Sequence, residues 1–372
     1  MKTSTHILLC WLLMLVSATV LAQSSKWKIL TTKNSITDRS ECGMAAVGNK
    51  LYVIGGDGGE TLPVECFDTK TLTWTTGAKA PVLVHHFQAV ADGKNVYILE
   101  AFSSGGFPDQ IPMSNVYSFN TETNRWQQGG VMPAGRRRAG AGAAFYKGKA
   151  YLIAGIQHGH ASGTTNMFDE YDPATQQWSA LPDAPHIRDH CSAAVIGDKL
   201  YVVGGRNTSY RDPDNKVTFF SQTVLDVDCY DFLMGKWSTL SAKLPMGSGG
   251  GAVVALDGVL YYMGGERATT TEPNAPRKNV YYLNPLSSAG WQTADSLHFG
   301  RNGTAAAVVG NAIYVAGGAG GPGGPPPAGN GMNRMPPPGA DSMNRPPMQN
   351  PPPNNIKQPR TDKMKIEVFR LP

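Results

Sequence analysis

A segment that recurs six times along the chain constrains its fold more than any other feature. Each copy is a pair of alternating apolar strands joined by a two-residue polar turn, and the second strand usually ends in Gly-Gly. In five copies a third strand, a turn begun by Asp or Asn, and a Trp follow. The second strands start at Leu51, Val96, Ala150, Leu200, Leu260 and Ile313, which are 45–60 residues apart. A period of this length means that one supersecondary unit is used six times.

This order of strands predicts a four-stranded antiparallel blade, and six blades predict an all-β, six-bladed β-propeller. The sixth copy has a third strand at Lys365–Arg370, but no fourth strand or Trp follows it. Lys26–Leu30, near the other end of the chain, has the missing strand and Trp27. Pairing these two segments in one blade removes the exposed edges of an open ring. We therefore expect the N-terminal strand to close the propeller.

The period near 50 residues, with Gly-Gly, Tyr and Trp in the repeats, resembles the kelch repeat over essentially all of the chain after residue 22. Segments such as Arg136–Arg138, Phe168–Pro173 and Arg188–His190 look like those of exported kelch proteins of the galactose-oxidase-like superfamily. The copper oxidases of that fold use a tyrosine crosslinked to a cysteine, a second tyrosine and two histidines, and no motif places that set here. In size and export the chain is also similar to bacterial sialic-acid mutarotases. The resemblance implies a fold but does not imply an activity, because proteins of one fold have many functions.

The first residues have the pattern of a secretory signal. Lys2, an apolar run over Ile7–Val16 and small residues up to Ala22 predict a signal peptide over residues 1–22. We expect a secreted or periplasmic protein whose propeller spans residues 23–372. No later stretch approaches 18 uninterrupted apolar residues, so we expect no membrane span. Without Lys2 the formal net charge of +5 becomes +4, which is too weak to indicate nucleic acid. We expect a monomer.

The cysteines of the propeller occupy equivalent places in opposite blades. Cys42 matches Cys191, and Cys66 matches Cys229, in blades 1 and 4 of the six-membered ring. A disulfide needs Cα atoms within about 7 Å, which the channel between these blades prevents. We therefore expect four free thiols.

Residues 319–362 form a long insertion between the second and third strands of blade 6. They are rich in Pro, Gly and Met and poor in periodic apolar residues. This composition predicts a disordered loop.

One face of the ring collects the residues that carry chemistry. The loop before the first strand of a blade and the loop after its second strand lie on the same face. Aligning the repeats puts four arginines at one position before the first strand, here called the lead-in arginines: Arg39, Arg138, Arg188 and Arg301. His85 and Asp189 come one residue later, and His86 and His190 one residue later again. All seven histidines after residue 22 fall on this face, including His160.

These residues predict a site at the channel mouth, and two classes of function remain open. The favoured one is a binding module for an anionic or polyhydroxylated ligand, an acidic glycan or acidic peptide, because guanidinium donors match paired oxygens. Its binding residues are Arg39, His85, His86, Arg136, Arg138, His160, Arg188, Asp189, His190 and Arg301. The alternative is an enzyme, either a sugar epimerase or mutarotase that uses Glu100 with His86 or His190, or a metal-dependent oxidoreductase. His86, His160 and His190 are the candidate ligands of a transition metal.

Overall fold

The computed structural model describes residues 27–35, 37–210, 217–269, 271, 274–319 and 365–371. The predicted signal peptide lies outside these residues, as does the predicted disordered loop except for Ala319, where a strand ends. No helix among the described residues is long and apolar enough to cross a membrane.

Six antiparallel sheets, one for each repeat, form the blades, as the repeats predict. Blade 1 consists of β2 (Gly43–Val47), β3 (Lys50–Ile54), β4 (Pro63–Asp68) and β5 (Thr73–Lys79). Blade 2 consists of β6 (Val90–Ala91), β7 (Asn95–Ile98), β10 (Asn115–Asn120) and β11 (Arg125–Val131), with a hairpin of β8 (Phe102–Ser104) and β9 (Ile111–Pro112) between its second and third strands. Blade 3 consists of β12 (Gly142–Tyr146), β13 (Lys149–His158), β14 (Ser162–Asp172) and β15 (Gln177–Leu181), after a 3-10 turn at Ala134–Arg136.

The second half of the ring repeats this arrangement. Blade 4 consists of β16 (Ser192–Ile196), β17 (Lys199–Val203), β18 (Asp228–Asp231) and β19 (Lys236–Thr239), and the short helix α1 (Val217–Ser221) lies in its long loop. Blade 5 consists of β20 (Gly249–Leu256), β21 (Val259–Arg267), β23 (Val280–Leu283) and β24 (Gln292–Thr293), and β22 (Ala275–Pro276) pairs with β21. Blade 6 consists of β25 (Asn302–Val309), β26 (Ala312–Ala319), β27 (Glu367–Arg370) and β1 (Lys28–Ile29).

The N-terminal strand closes the ring, as the sequence predicts. Strand β1 pairs with β27, with Lys28 opposite Val368 and Ile29 opposite Glu367. Trp27 is 3% exposed and packs against Phe369 at a ring distance of 5.4 Å. The outer edge of blade 6 is therefore covered by a segment more than 300 residues away in the sequence.

Six hydrophobic clusters of the described residues lie one between each pair of neighbouring blades, and a small seventh cluster consists of Phe102, Ala139 and Ile156. Alternation along each strand sends apolar side chains to both faces of a blade, and each face packs on the next blade. The four cysteines of the propeller are free thiols, and three of them are buried in this packing. The blades thus build a rigid ring whose loops converge on one mouth.

Candidate functional site

Six residues, one before or at the start of the first strand of each blade, form a ring at the channel mouth. They are Glu41, His86, Gly140, His190, Gly250 and Gly303. The backbone N–H of five of them donates to the carbonyl of the ring residue in the preceding blade, at 2.6–2.9 Å. This ring confirms the ungapped alignment of the repeats.

All six ring residues have left-handed backbone, with φ between 52° and 68°. Glycine adopts this conformation without a steric penalty, whereas a residue with a Cβ pays for it. Glu41, His86 and His190 nevertheless stand at this position. Strained backbone of this kind is concentrated at functional sites, so these three side chains are the first candidates for function.

Two histidines of the ring meet a third histidine from a neighbouring loop. His160, in the turn between β13 and β14, places its Nε2 atom 3.1 Å from Nε2 of His190. One ring nitrogen from each of His86, His160 and His190 lies within 4.8 Å of the others. The structure thus brings together the three histidines that the sequence proposes as metal ligands. His85 lies beside them, with its Nδ1 atom 2.6 Å from Nδ1 of His86.

Oxygen acceptors orient two of these imidazoles. Nδ1 of His190 lies 2.5 Å from Oδ1 of Asp189, and Nδ1 of His160 lies 3.0 Å from Oε1 of Gln110. Thr208 and Thr164 donate to Asp189 in turn. These hydrogen bonds fix the orientation of both imidazole rings and direct Nε2 of His160 and Nε2 of His190 toward each other.

The electrostatics of the cluster keep its histidines neutral. Burial, and then the neighbouring imidazoles, lower the pKa of His86 and His160 well below 6.5, and burial also lowers the pKa of His190. Burial opposes ionisation of Asp189, but its hydrogen bond with His190 and the charge of Arg206 bring its pKa to about 2. The cluster therefore presents neutral nitrogen ligands beside a carboxylate at neutral pH.

The lead-in arginines lie elsewhere, in the packing of their own blades. All four are at most 1% exposed. Each donates to a backbone carbonyl at the end of its blade's second strand and pairs with an acid of the third strand: Arg39 with Glu65, Arg138 with Asp169, Arg188 with Asp228, and Arg301 with Glu367. Arg136 also pairs with Asp169, at 2.5 Å. The four lead-in arginines are therefore buried and paired with internal acids, and the geometry does not support their predicted role in ligand binding; Arg136 shares Asp169 with Arg138 and is only partly buried.

The remaining histidines do not join the cluster. His186 and His298 contact the same acids as the lead-in arginines, Asp228 at 2.8 Å and Glu367 at 2.9 Å. His158 is exposed. The clustering of histidines on one face therefore points to this region, but it does not identify which histidines act together.

Glu100 has no described hydrogen bond with His85 or His86, beside which the sequence predicts it. It is 2% exposed, and burial raises its pKa well above the ordinary value, opposed by the charge of Arg138 and by the backbone of Ala141 and Gly140. No contact with a histidine is seen in the described part of the chain. Glu100 replaces the first glycine of its repeat and therefore packs against blade 3 below the mouth, which argues against the predicted pairing with a catalytic histidine.

Beside the histidine cluster lies a group of polar residues that the sequence reasoning missed. Arg206 donates to Oε1 of Glu266 at 2.8 Å. The other carboxylate oxygen of Glu266, Oε2, accepts from Asn274 and Asn302 at 2.9 Å. Glu41 lies next to this group, and its Oε2 atom is 3.8 Å from Nε2 of His86. Arg206 and Glu266 directly follow Gly-Gly in their repeats, so their shared position could have identified them from the sequence. Gln110 belongs to a loop that does not follow the repeat, so no sequence feature could have identified it.

The carboxyl of Glu41 is shifted strongly. Burial and the nearby Glu266 raise the pKa of Glu41 to about 8, although Arg206 lowers it. Below the ring, a cavity of about 60 Å³ is lined by Glu41, His86, His190 and Thr304, among others. A space of this size holds a few water molecules. The mouth therefore combines three neutral histidines, a carboxyl group and room for a small ligand.

Comparison with known proteins agrees with this architecture. The chain is similar to kelch-like protein terF of Aspergillus terreus, with 31% identity over 258 residues that cover 65% of this chain and 53% of that protein. It is also similar to alpha-scruin of Limulus polyphemus, with 27% identity over 260 residues that cover 67% of this chain and 27% of that protein. The match thus spans about half of the first relative and about a quarter of the second.

The fold is also that of a solved structure, YjhT. The two match with a TM-score of 0.65 at 18% identity, over 78% of this chain and 94% of that one. Identity at this level shows the fold alone. A family model, the Attractin/LZTR1 beta-propeller, matches residues 15–270, which is more than half of the chain. With its six kelch repeats and six blades, the chain belongs to the Attractin/LZTR1 β-propeller family.

Proposed function

We propose that this kelch propeller is a metal-dependent enzyme that binds a divalent transition metal ion through His86, His160 and His190. The observation that carries the proposal is the approach of these three imidazoles, which places one ring nitrogen from each within 4.8 Å of the others and Nε2 of His160 3.1 Å from Nε2 of His190. Nitrogen ligands about 2.1 Å from one metal ion are roughly 3 Å apart when they meet at a right angle.

The surroundings of the histidines favour the same function. Imidazole suits zinc, copper, iron and nickel, and the ligands must be unprotonated. Metal-bound histidines usually donate their other N–H to an oxygen, as His190 does to Asp189 and His160 to Gln110. Removing either partner typically weakens metal binding, since these bonds fix the ring orientation.

Charge also favours a cation over the anionic ligand expected from the sequence. The lead-in arginines are paired with acids inside their blades, which leaves Arg206 against Glu266 and Asp189 around the mouth, while Glu41, with a pKa of about 8, is mostly protonated at neutral pH. A neutral hydroxylated ligand is compatible with this balance, whereas an acidic glycan or peptide finds no unpaired arginine among the predicted ones.

Three protein ligands leave coordination positions open, which is characteristic of catalytic metal sites. The bound ion would act as a Lewis acid on an oxygen of the ligand or on water. Glu41 lies 3.8 Å from Nε2 of His86, within reach of a ligand bound to the ion. This arrangement supports the metal-dependent alternative and leaves the epimerase or mutarotase alternative without Glu100 as its base.

Metal analysis of wild-type protein and single variants tests the proposal. The full chain is stripped with a chelator, loaded in turn with zinc, copper(II), cobalt(II) and nickel(II), freed of excess metal and analysed for bound ions. We expect about one ion per chain for wild type and for the control His298→Ala, and a large loss in His190→Ala and His160→Asn. Thermal unfolding of the same samples checks that the variants fold.

Two results contradict the proposal. One is wild-type protein that retains none of the metals. The other is a His298→Ala variant that loses as much metal as folded His190→Ala, because His298 contacts Glu367 and not the cluster.

Export to the periplasm or outside the cell is also a proposal, and the pattern of residues 1–22 supports it. Binding of a carbohydrate or protein partner at the mouth stays a prediction.

A further inference from the structure

Aromatic side chains from two blades surround His160 on the outer side of the cluster. The ring centres of Phe107, Phe102 and Phe219 lie 5.3, 5.5 and 6.0 Å from that of His160. Phe107 and Phe219 also contact each other, edge to face, at 6.1 Å. The hairpin loop of blade 2 and helix α1 of blade 4 thus meet above a histidine of blade 3. We call Phe102, Phe107 and Phe219 the aromatic wall.

Part of this wall is exposed at the mouth. Phe107 is 55% exposed, whereas Phe102 is fully buried and provides the support behind it. A phenylalanine buries roughly 200 Å² in a core, so about 100 Å² of apolar surface on Phe107 is left for a ligand. Aromatic rings prefer offset or edge-to-face partners at 4.5–7 Å, which a flat ligand beside Phe107 provides.

The polar groups at the mouth limit how many hydroxyls a ligand can use. Both oxygens of Asp189 accept hydrogen bonds from the protein, and both oxygens of Glu266 do so as well. A sugar, with hydroxyls on every side, would leave most of them without partners here, which is costly in a buried site. Glu41 is the acid that lies close enough to the cluster to accept one ligand hydroxyl.

Glycine at the ring position of blade 6 makes room for the carboxyl of Glu41. A Cβ on Gly303 would collide with that carboxyl, which therefore lies over the backbone of the ring. A ligand at the metal can thus use Glu41 as a polar contact and the aromatic wall as an apolar one.

We infer that the metal site takes a planar hydroxylated ring, a phenol or catechol, whose ring packs against Phe107 and Phe219 while its oxygen binds the metal. This inference rests on the proposed function, because the histidine-bound ion holds the oxygen. Aliphatic polyols lack the flat apolar face that the aromatic wall matches.

Titration with 4-nitrocatechol tests the inference, since its absorption changes when its hydroxyls bind a metal. Zinc-loaded full-length protein is titrated with 4-nitrocatechol, and binding of methyl α-glucoside is measured by calorimetry. We expect 4-nitrocatechol to bind at least about tenfold more tightly, and Phe107→Ala and Phe219→Ala to weaken it by about tenfold at unchanged zinc content, since loss of an aromatic contact is worth about that factor. Ile111→Ala is the matched control, because Ile111 is 57% exposed in the same hairpin and has no described ring contact with His160.

Three outcomes decide against the inference. Equal or tighter binding of methyl α-glucoside overturns the aromatic class in favour of a sugar. Unchanged 4-nitrocatechol affinity in both phenylalanine variants removes the role of the wall, although the metal site stands. Wild-type protein without bound zinc or any other metal overturns the proposed function and the inference together, and metal analysis of the same samples separates this failure from the other two.

Discussion

Trp27→Ala tests whether the N-terminal strand closes the ring. Trp27 is 3% exposed and belongs to the cluster between blades 5 and 6, where it packs with Phe369. Truncating a buried Trp to Ala costs about 3–5 kcal/mol, because transfer energy is lost and a cavity is left. For a chain of 372 residues the unfolding entropy is about 0.8 kcal/mol per kelvin, so the loss lowers Tm by about 5 °C.

Thermal unfolding followed by circular dichroism measures this effect. Trp74→Ala is the matched control, because Trp74 is 2% exposed and packs on Phe67 at 4.9 Å within blade 1, whose four strands do not include β1. Leu286→Ala, at a side chain 91% exposed, should leave Tm unchanged. If Trp27→Ala unfolds within about 1 °C of wild type while Trp74→Ala is clearly destabilised, the closure described here is wrong.

Three further predictions concern charge and thiols. In metal-free protein, Glu41 keeps its proton up to about pH 8 in the folded state, whereas in the unfolded chain it loses this proton above a pKa of about 4.5. Raising the pH therefore favours the unfolded state, and Tm should fall between pH 6.5 and 8. The Glu41→Gln variant should flatten this decline. Below pH 6.5, His86 and His160 bind protons in the unfolded chain but not in the folded state, so Tm should also fall in acid. A wild-type Tm that rises from pH 6.5 to 8 contradicts the prediction for Glu41. Arg188→Ala leaves Asp228 without its guanidinium partner and should lower the free energy of unfolding by about 3–5 kcal/mol at unchanged metal content. Loss of metal without a lower Tm would instead indicate that Arg188 acts in the metal site. Thiol titration of denatured, unreduced protein should find the four free thiols seen in the structure, whereas two or none would mean that disulfides form.

The candidate site was predictable only in part. Ungapped alignment placed His86 and His190 at one ring position, because the repeats keep their length from the first strand to the Gly-Gly. The same alignment placed Arg188 two residues before His190, and nothing local shows that Arg188 pairs with Asp228, 40 residues later. Whether a charged side chain faces a ligand or an internal partner depends on that distant acid.

The repeats alone determined the number of blades, their strand order and the closure by the N-terminal strand. Their signal is local, since alternation and turns are read within about ten residues and recur six times. Tertiary structure decided which loops meet at the mouth. His160, Gln110, Arg206 and Phe219 come from loops that differ in length and sequence between blades, so their positions follow from how neighbouring blades pack and not from a period. The ring is therefore specified by repetition, while the chemistry at its mouth arises where the repeats depart from one another.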